Sequence, residues 1–320
     1  MADKIDQQFY PATKNHDKSI CAGRFYHIDL DGTLCYSLWL KPINFRKEGS
    51  VRCITLMTDF GLKDGNVGVM KGVIWGIAPQ SQIIDLSHLI GPQNVGEAAL
   101  ILSRSAPYFP QGTIHVVVVD PGVGTARRPI AAQIGLQFFV GPDNGILTAW
   151  LEQSENRGQE SRFYQLDRPQ YWLAEVSHVF HGRDIFAPIA AHLANGVTLD
   201  TLGSPVSDLL RLQLPQPQPV PHGLLGEIIH VDHFGSLSTN ICREHLEPLL
   251  ASQAEIIVRL GGVEIIGMVN TFGERPAGEL VALYGSTGNL IVSVVNGSAA
   301  ERLNIGPGET VEVYLAGSHR

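Results

Sequence analysis

Thr113-Ile-His-Val-Val-Val-Val119 runs directly into Asp120-Pro-Gly-Val-Gly-Thr-Ala-Arg-Arg128, and this stretch decides the fold. A continuous β-branched run has no polar face, so it suits a strand buried on both sides of a parallel sheet. The segments around it agree. Ile54–Met57 is a short apolar strand ending at Thr58-Asp59-Phe60-Gly61. Val67–Ile77 reads as a helix stopped by Pro79, and Gln82–Leu86 as a second strand. Val95–Tyr108 has helical spacing at Ala98, Leu102 and Ala106, and Asp184–Leu193 is an alanine-rich helix. Strands alternating with helices predict an α/β fold, with a layered, mostly parallel sheet over residues 52–213.

Alternating prolines in 214–223 rule out a helix or a central strand and predict an extended linker. Beyond it the texture changes to short strands with glycine turns: Leu225–Val231, Glu255–Leu260, Val263–Val269, Leu280–Tyr284, Leu290–Val295 and Thr310–Tyr314. These predict a smaller antiparallel, barrel-like β domain over 224–320. Residues 1–51 show no sustained period and read as an N-terminal extension. They carry Asp29-Leu-Asp-Gly-Thr33, which resembles the nucleophile motif of haloacid-dehalogenase-type phosphatases but lacks the Rossmann-like domain expected after it.

The chain has 320 residues, 44% hydrophobic and 17% charged, enough for two cores. A formal net charge of -8 argues against nucleic acid or an anionic membrane surface as the main partner. Cys21, Cys35, Cys53 and Cys242 form no CxxC pair, which fits free thiols in a reducing cytoplasm. Residues 1–20 are polar, without the apolar core of a signal peptide, and no apolar run approaches membrane-helix length. The expectation is a soluble, cytoplasmic protein.

Ligands of parallel-sheet proteins lie beyond the carboxyl ends of the strands, so the loops after Met57, Val119 and Phe180 are searched first. Asp59 could accept hydrogen bonds from a ribose diol, or could cap the next helix. Arg127 can fold back on Asp120 across a glycine-rich loop, either to polarise water or as a structural ion pair. The Walker lysine of a phosphate loop is absent. His181, in Phe180-His-Gly-Arg-Asp184, is a proton carrier by type, or a packed residue before a helix. Asp184 could cap its own helix, and Arg183 could pair with a neighbouring carboxylate. Two HxxH pairs, His178/His181 and His230/His233, fall in different domains and do not make a zinc set, so no metal is expected. Val231-Asp-His-Phe-Gly-Ser-Leu-Ser-Thr-Asn240 and Tyr284-Gly-Ser-Thr-Gly-Asn289 are either decorated turns or polar ligand lips.

Five motifs, in order, resemble the S-adenosylmethionine (SAM) hydroxide adenosyltransferases, relatives of the bacterial fluorinase and chlorinase. They are Thr58-Asp-Phe-Gly61, Asp120-Pro-Gly-Val-Gly-Thr125 with Arg127, Gly141-Pro-Asp-Asn-Gly145, Phe180-His-Gly-Arg-Asp184 and Gly297-Ser-Ala-Ala-Glu301. The resemblance spans about residues 53–315. It implies hydrolysis of SAM to adenosine and methionine without cofactor, through an Asp120–Arg127–His181 triad. It further implies a homotrimer with active sites between subunits. Asp59 would hold the ribose, Asp232, Phe234, Ser236 and Ser286 the methionine and adenine ends, and the backbone near Val294 and Asn296 the base. The halogenases place Tyr-Ser where this chain has His181-Gly182, and carry a long insertion for which Leu86–Val116 has no room. Ser236 stands where family members usually have Asn, and Ile291 lies where a glutamate is expected. The alternatives are a chloride-using relative, a SAM- or adenosine-binding protein without turnover, and the phosphatase suggested by Asp29 and Asp31.

Overall fold

The computed structural model describes residues 52–221, 223–250 and 255–317, and a two-residue antiparallel pairing of β1 (His27–Ile28) with β2 (Leu34–Cys35). The Asp29–Thr33 motif lies outside the described residues.

The first sheet is built from β3 (Cys53–Thr58), β4 (Gln82–Ser87), β5 (Ile114–Val118), β6 (Pro129–Ile134), β7 (Gln137–Pro142), β8 (Ser161–Gln165) and β9 (Ser204–Val206). Its order is β4-β3-β5-β7-β6-β8-β9. Strands β4, β3, β5 and β7 are mutually parallel; β6, β8 and β9 continue the sheet antiparallel. Helices α1 (Asn66–Ile77), α2 (Val95–Ser105), α3 (Thr148–Asn156), α4 (Ala187–Ala194) and the short α5 (Leu199–Leu202) complete the layer. One α-helix, α2, with a 3-10 turn at Ala106–Tyr108, joins β4 to β5.

Strand β5 shows why its run is unbroken. Ile114, Val116 and Val118 enter a core with Met70, Ile74 and the α4 residues Ile189 and Leu193. Val117 and Val119 enter a second core with Leu102, Trp150 and Leu151. Alternate side chains therefore meet different helix layers, and every position of β5 but His115 is apolar. His115, fully buried on β5, bonds Thr55 (Nδ1 to Oγ1, 2.8 Å), and burial pushes its pKa down to about 3, so it is neutral at neutral pH.

The second sheet uses β10 (Gln218–Val220), β11 (Gly223–Val231), β12 (Leu237–Cys242), β13 (Ile256–Leu260), β14 (Val263–Ile266), β15 (Leu280–Tyr284), β16 (Asn289–Val294) and β17 (Thr310–Leu315). The order β14-β13-β17-β11-β12-β16-β15 is antiparallel throughout. Its ends approach where Val269 N–H donates to Ala282 O (2.9 Å), so the sheet is a nearly closed barrel. Helices α6 (Arg243–Leu250) and α7 (Ala299–Leu303) lie at its ends. Leu237, Val258, Leu290, Val292 and Val313 are in its core.

Three local features differ from the sequence reading. The proline-rich stretch contributes β10, an edge strand paired with Gly223–Leu225, a position where a missing N–H is tolerated. The Leu237–Cys242 stretch, read as part of a polar turn, is a buried strand. Thr239 satisfies its hydroxyl there by donating to Leu290 O (2.9 Å). The β6–β7 hairpin and α3 had no clear periodic signal.

Gly141 lies in β7 where an added Cβ would stand 2.5 Å from Val117 O and 2.7 Å from the Phe139 ring. Gly141→Ala is therefore expected to destabilise the chain by about 1–3 kcal/mol. Gly72→Ala, on α1 with nothing within 4 Å, should be neutral or stabilising by up to about 1 kcal/mol. Denaturant unfolding of both variants checks this; equal midpoints would contradict the packing described.

Candidate active site

Three loops leave the carboxyl ends of adjacent parallel strands: the ones after β3, β5 and β7. The second carries Asp120, and its turn doubles back so that Arg127 Nε donates to Asp120 Oδ1 (3.0 Å) while Nη2 donates to Oδ2. Both side chains are nearly out of solvent, 6% exposed for Arg127 and 4% for Asp120. Gly124 makes the turn possible. Its φ is +75°, and a Cβ there would lie 2.2 Å from His178 O, so the 177–180 segment packs on the loop's backbone.

His181 completes the group: Arg127 Nη2 lies 3.1 Å from its Nδ1. A guanidinium only donates, so Nδ1 accepts and the ring proton is on Nε2. The Phe186 ring lies under the guanidinium, with Cζ 5.4 Å from its centroid. Arg127 Nη1 is buried and has no hydrogen-bond partner among the described residues. Burial first, and the guanidinium second, hold the His181 pKa below its ordinary 6.5. Burial pushes the Asp120 carboxyl up, opposed by Arg127.

His181 is placed by a π-helical turn, Gly182–Phe186, which precedes α4. Ala187 N–H bonds Gly182 O, so one extra residue is wound in before the α-helix starts; such turns concentrate at functional sites. Asp184 does not cap this helix. Its buried carboxylate accepts Arg183 Nε (2.5 Å), Arg183 Nη2 (3.1 Å) and Ser177 N–H (2.8 Å), pinning the segment before His181. The adjacent arginine, Arg128, turns the other way, to Asp143 (Nη2 to Oδ2, 2.6 Å) and Asp208 (Nη1 to Oδ1, 2.7 Å). Asn144 Nδ2 donates to Val119 O (2.9 Å), tying the β7 loop to the β5 loop.

Asp59 does not cap α1, whose N-cap is Gly65. Its Oδ2 accepts Gln93 N–H (2.8 Å) from the loop after β4. In the second sheet, Asp232 Oδ1 accepts Phe234 N–H (2.9 Å) and Ser236 N–H (2.8 Å), leaving Phe234 76% exposed at the turn's tip. Gly235 O accepts Ala299 and Ala300 N–H, so this turn rests on the start of α7, beside Val294 and Asn296. Ser286 belongs to the hairpin turn at the opposite end of β16, about 16 Å away at the rise of a strand. The structure thus gathers Asp120, Arg127 and His181 in one place, and Asp232, Phe234, Ser236, Val294 and Asn296 in another. Among the described residues no hydrogen bond or ion pair joins the two groups within the chain. Phe186 was missed from sequence, because it looks like any apolar residue of its helix. No group of three His, Cys, Asp or Glu among the described residues is arranged to hold a metal.

The geometry can be set beside known proteins. Models of the SAM hydroxide adenosyltransferase N-terminal and C-terminal domains match residues 54–203 and 226–312. An (R)-S-adenosyl-L-methionine hydrolase of Salinispora tropica is 40% identical over 81% of this chain and 97% of its own length. A fluorinase of Actinoplanes sp. is more distant, 31% identical over 82% of this chain and 97% of its own. The crystal structure of an uncharacterized conserved protein from Thermotoga maritima superposes with a TM-score of 0.76. It is 36% identical and covers 82% of this chain and 99% of its own. With both domain models matched in order over most of its length, the chain belongs to the SAM hydroxide adenosyltransferase family.

Proposed function

We propose that the protein hydrolyses SAM to adenosine and L-methionine by attack of hydroxide on the ribose C5′. The observation that carries the reading is the buried Arg127 guanidinium, held by Asp120, which fixes His181 as its Nε2–H tautomer. An N–H donor beside a buried cation in a nearly dry site favours an anionic oxygen over water. In balance, SAM and water give adenosine, methionine and one proton. The C5′–O bond forms as the C5′–S bond breaks, and sulfur takes the electron pair and loses its positive charge. The leaving group therefore needs neither acid nor metal. The demand falls on the nucleophile: its proton leaves for solvent as hydroxide is bound, and Asp120 keeps the guanidinium aimed. The family membership and the hydrolase named in Salinispora tropica support the same reaction.

Hydroxide is favoured over halide by the surroundings of Gly182. A Cβ there would meet Met70 Sδ at 3.2 Å and Val118 Cγ1 at 3.4 Å, so the serine found at this point in halogenases would need its neighbours to shift. Adenosine should form from SAM at the same rate with and without chloride, in chelator-treated buffer. Formation of 5′-chloro-5′-deoxyadenosine would favour the chloride-using reading.

In the substrate-binding part of this reading, Asp59 holds the ribose hydroxyls, and Asp232, Phe234, Ser236, Ser286, Val294 and Asn296 the methionine and adenine ends. The separation of the second-sheet residues from the triad within one chain supports a site shared between the first sheet of one subunit and the second sheet of its neighbour, in what we propose is a homotrimer. Exposed Leu62, Leu89, Val179 and Phe234, on loops around both groups, provide apolar surface for such a contact. Free thiols at Cys53 and Cys242 support a reducing, cytoplasmic location.

His181→Ala and Arg127→Ala should each lower turnover at least about 100-fold with SAM affinity nearly retained. Unchanged turnover in both removes the assignment. His181 should titrate below 6.5 by NMR and move upward in Arg127→Gln, since the guanidinium is the second cause of its depression. Activity should accordingly persist at pH 6.5 and fall only at lower pH, when a proton on Nδ1 faces the guanidinium. Mixing inactive His181→Ala and Asp232→Ala chains after reversible dissociation should restore part of the activity if sites are shared, and none if each chain is self-contained.

A further inference from the structure

Thr58, His88, Asp85 and Lys71 form a connected polar chain that the proposed reaction does not use. Thr58 ends β3 and His88 follows β4, so the parallel pairing of these strands brings their carboxyl ends together. Thr58 Oγ1 lies 2.9 Å from His88 Nδ1. His88 Nε2 lies 3.1 Å from Asp85 Oδ1, a proximity to the carboxylate rather than a well-aligned hydrogen bond, and Asp85 Oδ2 accepts Lys71 Nζ from α1 at 2.6 Å. The His88 ring is 3% exposed, and Thr58 is fully buried. The chain resembles a hydroxyl–imidazole–carboxylate triad, but Thr58 is no nucleophile: no ligand can reach it, and its oxygen accepts Phe60 N–H (3.2 Å).

Its geometry leads to Asp59 instead. A carboxylate only accepts, so Asp85 favours the proton on Nε2 and leaves Nδ1 to accept the Thr58 hydroxyl proton. The same His88 takes Gly61 N–H on its backbone carbonyl (2.8 Å). Gln93, five residues further on and at a φ of 62°, donates its N–H to Asp59 Oδ2 (2.8 Å). Asp59 is therefore bracketed: Thr58 before it and Gly61 after it are tied to His88, and its own carboxylate to Gln93. No hydrogen bond among the described residues uses Asp59 Oδ1, which is left for a ligand.

We infer that His88 is the positioning residue for Asp59, fixing the loop after β3 against the loop after β4 so that one carboxylate oxygen is presented to a vicinal diol. This rests on the proposal that Asp59 holds the ribose of SAM. The bond lost in His88→Leu ties the loop rather than touching the ligand, so its loss should be read in diol discrimination.

Binding of adenosine and of 2′,3′-dideoxyadenosine is measured by calorimetry for the intact protein, His88→Leu and His88→Asn, together with thermal stability and SAM kinetics. The intact protein should prefer the diol, and His88→Leu should lose about tenfold of that preference, the scale of one hydrogen bond to a charged group. KM for SAM should rise while kcat changes by less than about threefold, because the triad is untouched. His88→Asn, whose amide can still meet Thr58 Oγ1, should recover most of the preference. A lower melting temperature with an unchanged preference ratio in His88→Leu overturns the positioning role and leaves the ribose assignment standing. Absence of a diol preference in the intact protein overturns both, and that control alone separates the two failures.

Discussion

Arg127 carries a permanent charge at a place where water is almost excluded, and much of the site follows from keeping it there. A guanidinium in such surroundings costs several kcal/mol unless its donors are met. Asp120 meets two of them side by side, His181 takes a third contact, and the Phe186 face covers the plane. The partners come from two parts of the fold. Asp120 is held by β5, whose neighbours on both sides are parallel strands. His181 is delivered by the π-helical turn, and Phe186 is the last residue of that turn. The two N–H donors of Nη1 have no partner among the described residues. Three of the five N–H donors of this buried cation are thus met by side chains from the loop after β5 and from the π-helical turn.

The same economy explains the pair Arg127-Arg128. Adjacent residues in extended chain point to opposite sides. Here one enters the Asp120–His181 group, and the other clamps Asp143 to the 207–210 segment. Asp143 also receives Leu210 N–H, and Thr148 Oγ1 receives Leu212 N–H. The chain leading to the second sheet is thus laced across the α3 side of the first. Asn240 Nδ2 then donates to Pro215 O, and Arg104 Nη2 to Ser238 Oγ (3.2 Å), so the two sheets are tied through polar contacts. Polar ties of this kind set a relative position without a shared apolar core.

What the sequence made legible divides along physical lines. Strand β5 and the residues at its end could be read because burial on both faces demands one unbroken apolar run. The strands of the barrel could be read because glycine turns bound them. Strand β12 could not: its Ser, Thr and Asn are buried, and only the hydrogen bonds of Thr239 and Asn240 to distant backbone make that tolerable. The π-helical turn left no trace, since its i to i+5 bond differs from an α-helix by one residue of winding. Asp120 and Arg127 are seven residues apart, and a glycine loop lets their pairing be anticipated. His181, 54 residues beyond Arg127, entered only through the order of motifs.

That difference has a chemical consequence. A histidine read from sequence is a proton carrier by type, and the natural expectation is a general base. In place, its Nδ1 is already taken by a guanidinium that can only donate, so the lone pair a base would use is occupied. What His181 offers the substrate side is Nε2–H, a donor, and burial beside a cation keeps the ring neutral in that form. In the proposed reaction the imidazole N–H and the guanidinium charge act in the same sense, both favouring negative oxygen, and neither needs to take the proton during attack. In the proposed reaction its role is stabilisation of hydroxide already formed. Burial of the cation suits that role: in water the same charge would be screened and would favour hydroxide hardly at all.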